Sequence, residues 1–180
     1  AIIRAMGIDE ELKKLGVHVA NFSDYKRLPL PPEVKFHNIE LAAEFLEYDA
    51  VADIAKAKTH AMMILTLCVK NLFGLVKGCD RMGWHLAVGR DFAKFADMLL
   101  DIHLSVRPRF NILDAVTCME GNGPGSGTPV HRGFLAGSSD SLALDASAAA
   151  IFGVPNLLLL RNAKERKLDF AYENCGDVPP

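Results

Sequence analysis

The run Ala50-Val51-Ala52-Asp53-Ile54-Ala55-Lys56-Ala57-Lys58-Thr59-His60 decides how this chain folds. Residues 50–56 follow Asp49 and set apolar side chains at close intervals, the pattern of a strand buried on at least one face. Lys56, Lys58, Thr59 and His60 then bring three basic groups and a hydroxyl to its end. Residues 60–76 have helical length and spacing, so the strand is expected to become a helix at His60. In open α/β sheets that carboxyl edge is where ligands bind, and the free N–H groups of a helix start add positive potential there.

Further along, Phe92, Phe95, Ala96, Leu99, Leu100 and His103 fall on one side of a second helix over residues 91–106, which Pro108 ends. Residues 110–116 read as the next strand, 121–133 as a glycine-rich loop and 133–137 as a strand. Ser141 is a suitable N-cap for a helix to Ile151, with Gly153 as C-cap and Pro155 beyond. Residues 157–160 suggest a last strand, and 161–167 a charged helix or turn. Toward the N-terminus, residues 2–15 have helical spacing ended by Gly16, and residues 17–22 alternate like a short strand. Residues 28–32 hold three prolines and read as a loop, 36–41 as a strand and 42–48 as a helical turn. Strands alternating with helices predict an α/β layer structure. Its sheet is parallel or mixed and flanked by helices, with residues 1–180 forming a single domain or a domain fragment.

Composition bounds the class. Half of the 180 residues are hydrophobic and 23% are charged, which is ordinary globular composition. Twenty Lys+Arg against 22 Asp+Glu leave a formal charge of -2, and the basic residues lack interleaved aromatics, so nucleic acid is not expected as a partner. The most apolar run, residues 61–69, stops at Lys70-Asn71, well short of the roughly 20 residues that span a bilayer. The four cysteines include no C-x-x-C pair, which argues against a structural zinc or an iron–sulfur cluster within the chain. No signal peptide is visible, and the expected compartment is the cytoplasm. The first and last residues read as cut points inside a longer protein.

Two polar constellations stand out. In the first, Lys56, Lys58 and His60 are joined by Lys70-Asn71 in apolar surroundings, and by His85 beside the only tryptophan, Trp84. Apolar surroundings lower a lysine's pKa and make it a better base or nucleophile. Histidine titrates near neutrality, so His60 or His85 could transfer protons or ligate a metal, with His85 the metal candidate. The alternatives are solvated lysines at a strand end, a Lys70 that snorkels to water, and a capping or surface His60. In the second constellation, Asp114 and Glu120 precede Gly121-Asn122-Gly123-Pro124-Gly125-Ser126-Gly127. Such a loop lets a ligand approach backbone N–H groups closely, or is simply a long surface turn. It is neither a Walker loop nor a dinucleotide fingerprint, because no Gly-Lys-Ser/Thr follows and Pro129 and a strand intervene before any helix. Asp114 and Glu120 could hold a divalent metal or act as acid–base groups, with Asp114 the metal candidate. Asp140 and Asp145 are read as complements to a helix dipole.

The stretches Asp53-Ile54-Ala55-Lys56-Ala57-Lys58-Thr59-His60 and Val69-Lys70-Asn71-Leu72-Phe73-Gly74 resemble the family of domain of unknown function 362. So do Asp114, Met119-Glu120-Gly121-Asn122-Gly123-Pro124, Gly127, and the residues from Asp140 to Ala146. The likeness covers about residues 45–155. It implies a further N-terminal α/β portion in a longer parent, and a ferredoxin-like, cluster-bearing domain as a partner outside this chain. His60, Lys70 and His85 are also similar, more distantly, to the cofactor site of nickel-pincer lactate racemases. That resemblance implies an acid/base role for His60, a lysine that holds the pincer nucleotide, and nickel ligation by His85. The expected function is a cofactor- or anion-binding part of an oxidoreductase or related enzyme associated with iron–sulfur proteins. In it His60 and Lys70 are the catalytic candidates. Lys56, Lys58, Asn71, Glu120, Gly121, Asn122, Gly123 and Gly127 would bind an anionic small molecule or cofactor. The alternative is a non-catalytic binding or scaffold module for a redox partner domain.

Overall fold

A computed structural model of the chain describes residues 7–27 and 31–177. The start of the expected first helix and most of the proline loop lie outside the described residues. Helix α1, Asp9–Lys14, buries none of its residues, and its lysines pair with Glu10 and Glu11 one turn back. Residues 17–22 are not a strand: they pair with no strand among the described residues, and Val17, Val19 and Phe22 are exposed. Instead β1, Tyr25–Arg27, pairs antiparallel with β2, Glu40–Ala42. The expected strand over 36–41 is thereby reduced to its end. The backbone N–H groups of Lys35 and Phe36 donate to the Asp101 carboxylate at 2.9 and 2.8 Å, which turns the chain there. A 3-10 turn follows at Ala43–Glu47, within the expected helical turn.

The second sheet carries the architecture. Its strands are β3, Ala52–His60; β4, Ile64–Thr66; β5, Phe110–Glu120; and β6, Thr128–Ser138, in the order β4-β3-β5-β6. Strands β3 and β5 are parallel and both outer pairings are antiparallel, so the sheet is mixed. The crossover between the parallel strands holds α2, Cys68–Asn71; a 3-10 turn, Leu72–Leu75; α3, Gly78–Val88; and α4, Phe92–Val106. After β6 come α5, Ser141–Ile151, and α6, Leu158–Glu165.

Four expectations need correction here, and one helix was not anticipated. Residues 60–76 are not one helix. Strand β3 continues through His60, turns back into β4, and only then makes the short α2. The His60 ring accepts the N–H groups of Met62 and Met63 at 3.1 and 3.3 Å, which holds the turn. Helix α3 was not anticipated; its Gly78 and Gly83 mask it, glycine being a poor helix former. Residues 157–160 open helix α6 rather than a strand. Leu159, Leu160, Asn162 and Ala163 are buried at helical spacing, and the Asn162 amide donates to Ala93 O at 2.8 Å. Strand β6 also begins earlier than residue 133. The helix over 141–151 is capped by Asp140 rather than Ser141: its carboxylate accepts from Leu142 and Ala143 N–H at 2.7 and 3.1 Å.

One face of the sheet is covered and the other is open. On the covered face Ala55, Ala57, Leu113 and Ala115 are at most 1% exposed, while Ile54 and Leu135 on the open face are 67% and 65% exposed. Small side chains in β5 meet the alanine-rich α5, which is buried nearly all round and packs against β5, β6 and α2, while β3 packs against α2. Helix α4 buries Phe95, Met98, Leu99, Leu100 and Ile102 in the same core. Among the described residues no helix is long and apolar enough to cross a membrane.

Candidate functional site: a cationic cluster at the end of β3

Strand β3 delivers Lys58, Thr59 and His60 at its carboxyl end, beside the turn that carries Met62. Lys70 comes from α2, Arg81 and His85 from α3, and the aromatic floor from Phe73 and Phe95. The His60 and His85 rings stack at 6.4 Å between centroids. His85 in turn lies 4.8 Å from Phe95 and 5.4 Å from Phe73. The Lys70 ammonium stands 4.6 Å from the Phe73 ring centre and 5.6 Å from that of Phe95, within cation–π range. His60, Lys70 and His85, far apart in sequence, therefore meet.

The electrostatics of this group have one sign. Burial, with Lys70, His85 and Lys58 nearby, brings the His60 pKa down to about 4. Burial and Lys70 lower that of His85. Burial, Lys58 and Arg81 bring the Lys70 ammonium down to about 8. Among the described residues, Lys58, Lys70 and Arg81 have no carboxylate or other hydrogen-bonding partner. Because His60 Nδ1 accepts two backbone N–H groups, the neutral ring carries its proton on Nε2 and presents a donor. His85 Nδ1 lies 3.3 Å from the Met62 thioether.

Helix α2 is held in place from below. Asp145, 3% exposed on α5, accepts the first two N–H groups of α2, from Cys68 and Val69, at 2.8 and 3.0 Å. Those are the groups a helix start leaves free, so a carboxylate of the protein occupies this helix N-terminus. Burial, outweighing those two hydrogen bonds, pushes the Asp145 carboxyl up to about 8. Asn71 is turned away from the cluster, donating to Asp53 Oδ1 at 2.7 Å and Ile54 O at 3.2 Å. Asp53 is itself buried, and desolvation raises its pKa.

The other candidates divide between two neighbourhoods. Lys56 and Asp114 face each other across β3 and β5 as register partners and form a 2.6 Å ion pair on the open sheet face. Lys56 thus has its counter-ion, and its ammonium holds the Asp114 carboxyl below its usual pKa. His85 and Asp114 have separate partners. Among the described residues, no group of three or more His, Cys, Asp and Glu side chains is arranged to hold a metal ion. Glu120 pairs with Arg132 at 2.9 Å on the hairpin between β5 and β6. Lys58, Thr59, Cys118, Glu120, Arg132 and Phe152 help line a cavity of about 170 Å³ beside the strand ends.

The glycine loop packs onto β3 itself. Thr59 Oγ1 donates to Gly121 O at 3.0 Å, and Gly121 has a φ of +79°. A methyl group on Gly123 would overlap the Thr59 backbone, and one on Gly127 would overlap the Glu120 carbonyl and the Met119 side chain. Within the loop Ser126 N–H donates to Asn122 O at 3.1 Å. The close approach these two glycines permit is to the protein's own strands. It seats the loop against Thr59, next to His60. Sequence reasoning missed Arg81 and read Asp145 only as a dipole complement. A lone arginine in an unrecognised helix carries no signal, and the 77-residue separation of Asp145 from Cys68 hides their bond.

A thylakoid-associated protein of Synechocystis sp. (strain ATCC 27184 / PCC 6803 / Kazusa), sll1697, is 40% identical over 110 residues, which are 61% of this chain and 34% of the relative. The matched stretch thus spans about a third of that relative's length. No solved structure matches the chain. The family model described as domain of unknown function (DUF362) matches residues 1–150, so the likeness begins well before residue 45, and the chain belongs to the DUF362 family.

Proposed function

We propose that this chain supplies the anion-binding part of a cofactor-dependent enzyme, with the ligand held between the end of β3, α2 and α3. The observation that carries the reading is the gathering of Lys58, Lys70 and Arg81 without a carboxylate partner among the described residues. Like charges brought together cost free energy, and an anion bound among them offsets that cost. The cluster supports a phosphate- or carboxylate-bearing ligand, with His60 Nε2–H as a further donor. His60 then serves as a hydrogen-bond donor rather than a general base, because its acceptor nitrogen is occupied by backbone. Lys56, paired with Asp114, and Asn71, bonded to Asp53, contribute to the scaffold.

The nickel-pincer nucleotide implied by the distant resemblance belongs to the same ligand class. The meeting of two imidazoles and a lysine fits it: Lys58, Lys70 and Arg81 would hold its phosphate, and His85 would reach its metal. When bound, such a group would supply hydride chemistry. An oxidoreductase role with a ferredoxin-like domain as partner belongs to the same proposal and rests on the family resemblance. The test is calorimetric titration with inorganic phosphate at low salt. Binding should weaken at least tenfold in Lys58→Ala and Arg81→Ala and stay unchanged in Lys56→Ala. Equal binding in all three variants would refute the site.

A further inference from the structure

We propose that Lys70 forms a Schiff base with a small aldehyde or ketone whose anionic group is held by Lys58 and Arg81. The inference rests on the anion-binding reading above and adds to it a covalent step at one atom. Three features together mark Lys70. Its ammonium is set against the faces of Phe73 and Phe95, not on a carboxylate. Its helix is fixed by the bonds of Asp145 to Cys68 and Val69, so its direction is set by backbone as well as by its own rotamer. It also lies beside the donor His60 and two further cations. By contrast Lys13, Lys14, Lys26, Lys35 and Lys56 each pair with a carboxylate.

A lysine becomes a nucleophile when burial and neighbouring cations disfavour its ammonium, and Lys70 has both. Burial, with Lys58 and Arg81 nearby, brings the Lys70 ammonium down to about 8, so near that pH a substantial share of the side chain is a free amine, while the Phe73 and Phe95 faces act in the opposite sense and favour the ammonium. The amine nitrogen adds to the carbonyl carbon, forming a C–N bond while the C=O π electrons move to oxygen, and the proton lost by nitrogen ends on that oxygen. The carbinolamine then loses its hydroxyl group together with the remaining N–H proton as water, with His60 Nε2–H hydrogen-bonded to the departing oxygen, and the nitrogen electron pair forms the C=N bond. No electrons are exchanged. The anionic group on Lys58 and Arg81 would hold the carbonyl near Nζ, raising its effective concentration.

The experiment treats the chain with pyridoxal 5′-phosphate, glyoxylate or uncharged pyridoxal, reduces each mixture with borohydride, and maps the modified lysines by peptide mass spectrometry. Thermal shift with inorganic phosphate is measured in parallel. Lys70 should be the first lysine fixed by both anionic carbonyls, at least tenfold faster than by pyridoxal, with phosphate competing. Lys70→Arg should lose the label while keeping its melting temperature, and Lys56→Ala, whose side chain is paired with Asp114, should keep both the label and the phosphate shift. A phosphate shift with label spread over exposed lysines and none on Lys70 would overturn the Schiff base and leave the anion site standing. Neither shift nor Lys70 label would overturn both. Labelling of Lys70 at equal rates by pyridoxal and its phosphate would overturn the proposal as stated, since the anionic group would then have no role.

Discussion

Replacing Asp145 with Asn separates two descriptions of the carboxyl beneath α2. The group is fully enclosed, accepts Cys68 and Val69 N–H, and is pushed up to about 8 by burial, with Asp53 and Asp140 adding repulsion. In the unfolded chain an aspartate titrates near 3.9. Between about pH 4 and pH 8 the folded chain therefore binds a proton that the unfolded chain has released. Stability contributed by this group is full below pH 4 and falls as the pH rises toward 8. Each pH unit inside that window is worth about 1.4 kcal/mol, so the three units from pH 5 to pH 8 cost at most about 4 kcal/mol. Asparagine has the shape of the neutral carboxyl and does not titrate. At pH 5 the variant should be less stable by about 1–3 kcal/mol, because its NH₂ faces a backbone N–H and one buried donor loses its acceptor. At pH 8 the gap should close or reverse. Urea unfolding of both proteins at pH 5, 6.5 and 8 reads the difference directly, since other titrating groups cancel between them. A gap that stays constant or widens with pH would mean that the folded state holds Asp145 ionised throughout, with its two N–H bonds outweighing burial.

Three further outcomes can be measured on single variants. Gly123→Ala should destabilise the chain by about 2–4 kcal/mol in denaturant melts, because its methyl group meets the Thr59 backbone, while Gly125→Ala, with open space around it, should change stability by less than about 0.5 kcal/mol. Breaking the Lys56–Asp114 pair with Asp114→Ala should cost no more than about 1 kcal/mol, as both side chains are partly exposed, and should leave phosphate affinity unaltered in calorimetry. Phe95→Ala should cost about 3–5 kcal/mol in urea melts, since the ring is wholly buried and touches both Phe73 and His85.

What was legible in the sequence are the parts built from local pattern. Strand β3, helix α4, the start of β5 and helix α5 follow from apolar spacing and caps, and the basic cluster follows from its position at a strand end. Residues 60–76 misled because their local pattern is helical, while the contacts that decide the backbone are distant. The His60 ring bonds its own turn, and Asp145 receives α2 from the far side of the core. A helix beginning at His60 would have put free N–H groups beside Lys58. The hairpin instead directs side chains there, and the helix N-terminus that does exist is filled by Asp145. The positive character of the site therefore comes from lysine and arginine side chains, not from a helix dipole.

Lys56 and Lys70 make the same point at the level of one residue type. Both lie near the same strand end, and although the apolar neighbours of Lys70 rank it above Lys56, nothing in the sequence shows which of the two has a counter-ion. The register of β3 on β5 sets Lys56 opposite Asp114 and neutralises it. The turn after β4 and the Asp145 cap instead carry Lys70 inward, onto two aromatic rings and toward two more cations. Which lysine has a counter-ion is thus decided by pairing partners that only the fold supplies. Arg81, which stands in the unanticipated helix α3, completes the cluster for the same reason. A site of this kind is read from the sequence as a region and resolved into roles only when each cation's counter-ion, or lack of one among the described residues, is known.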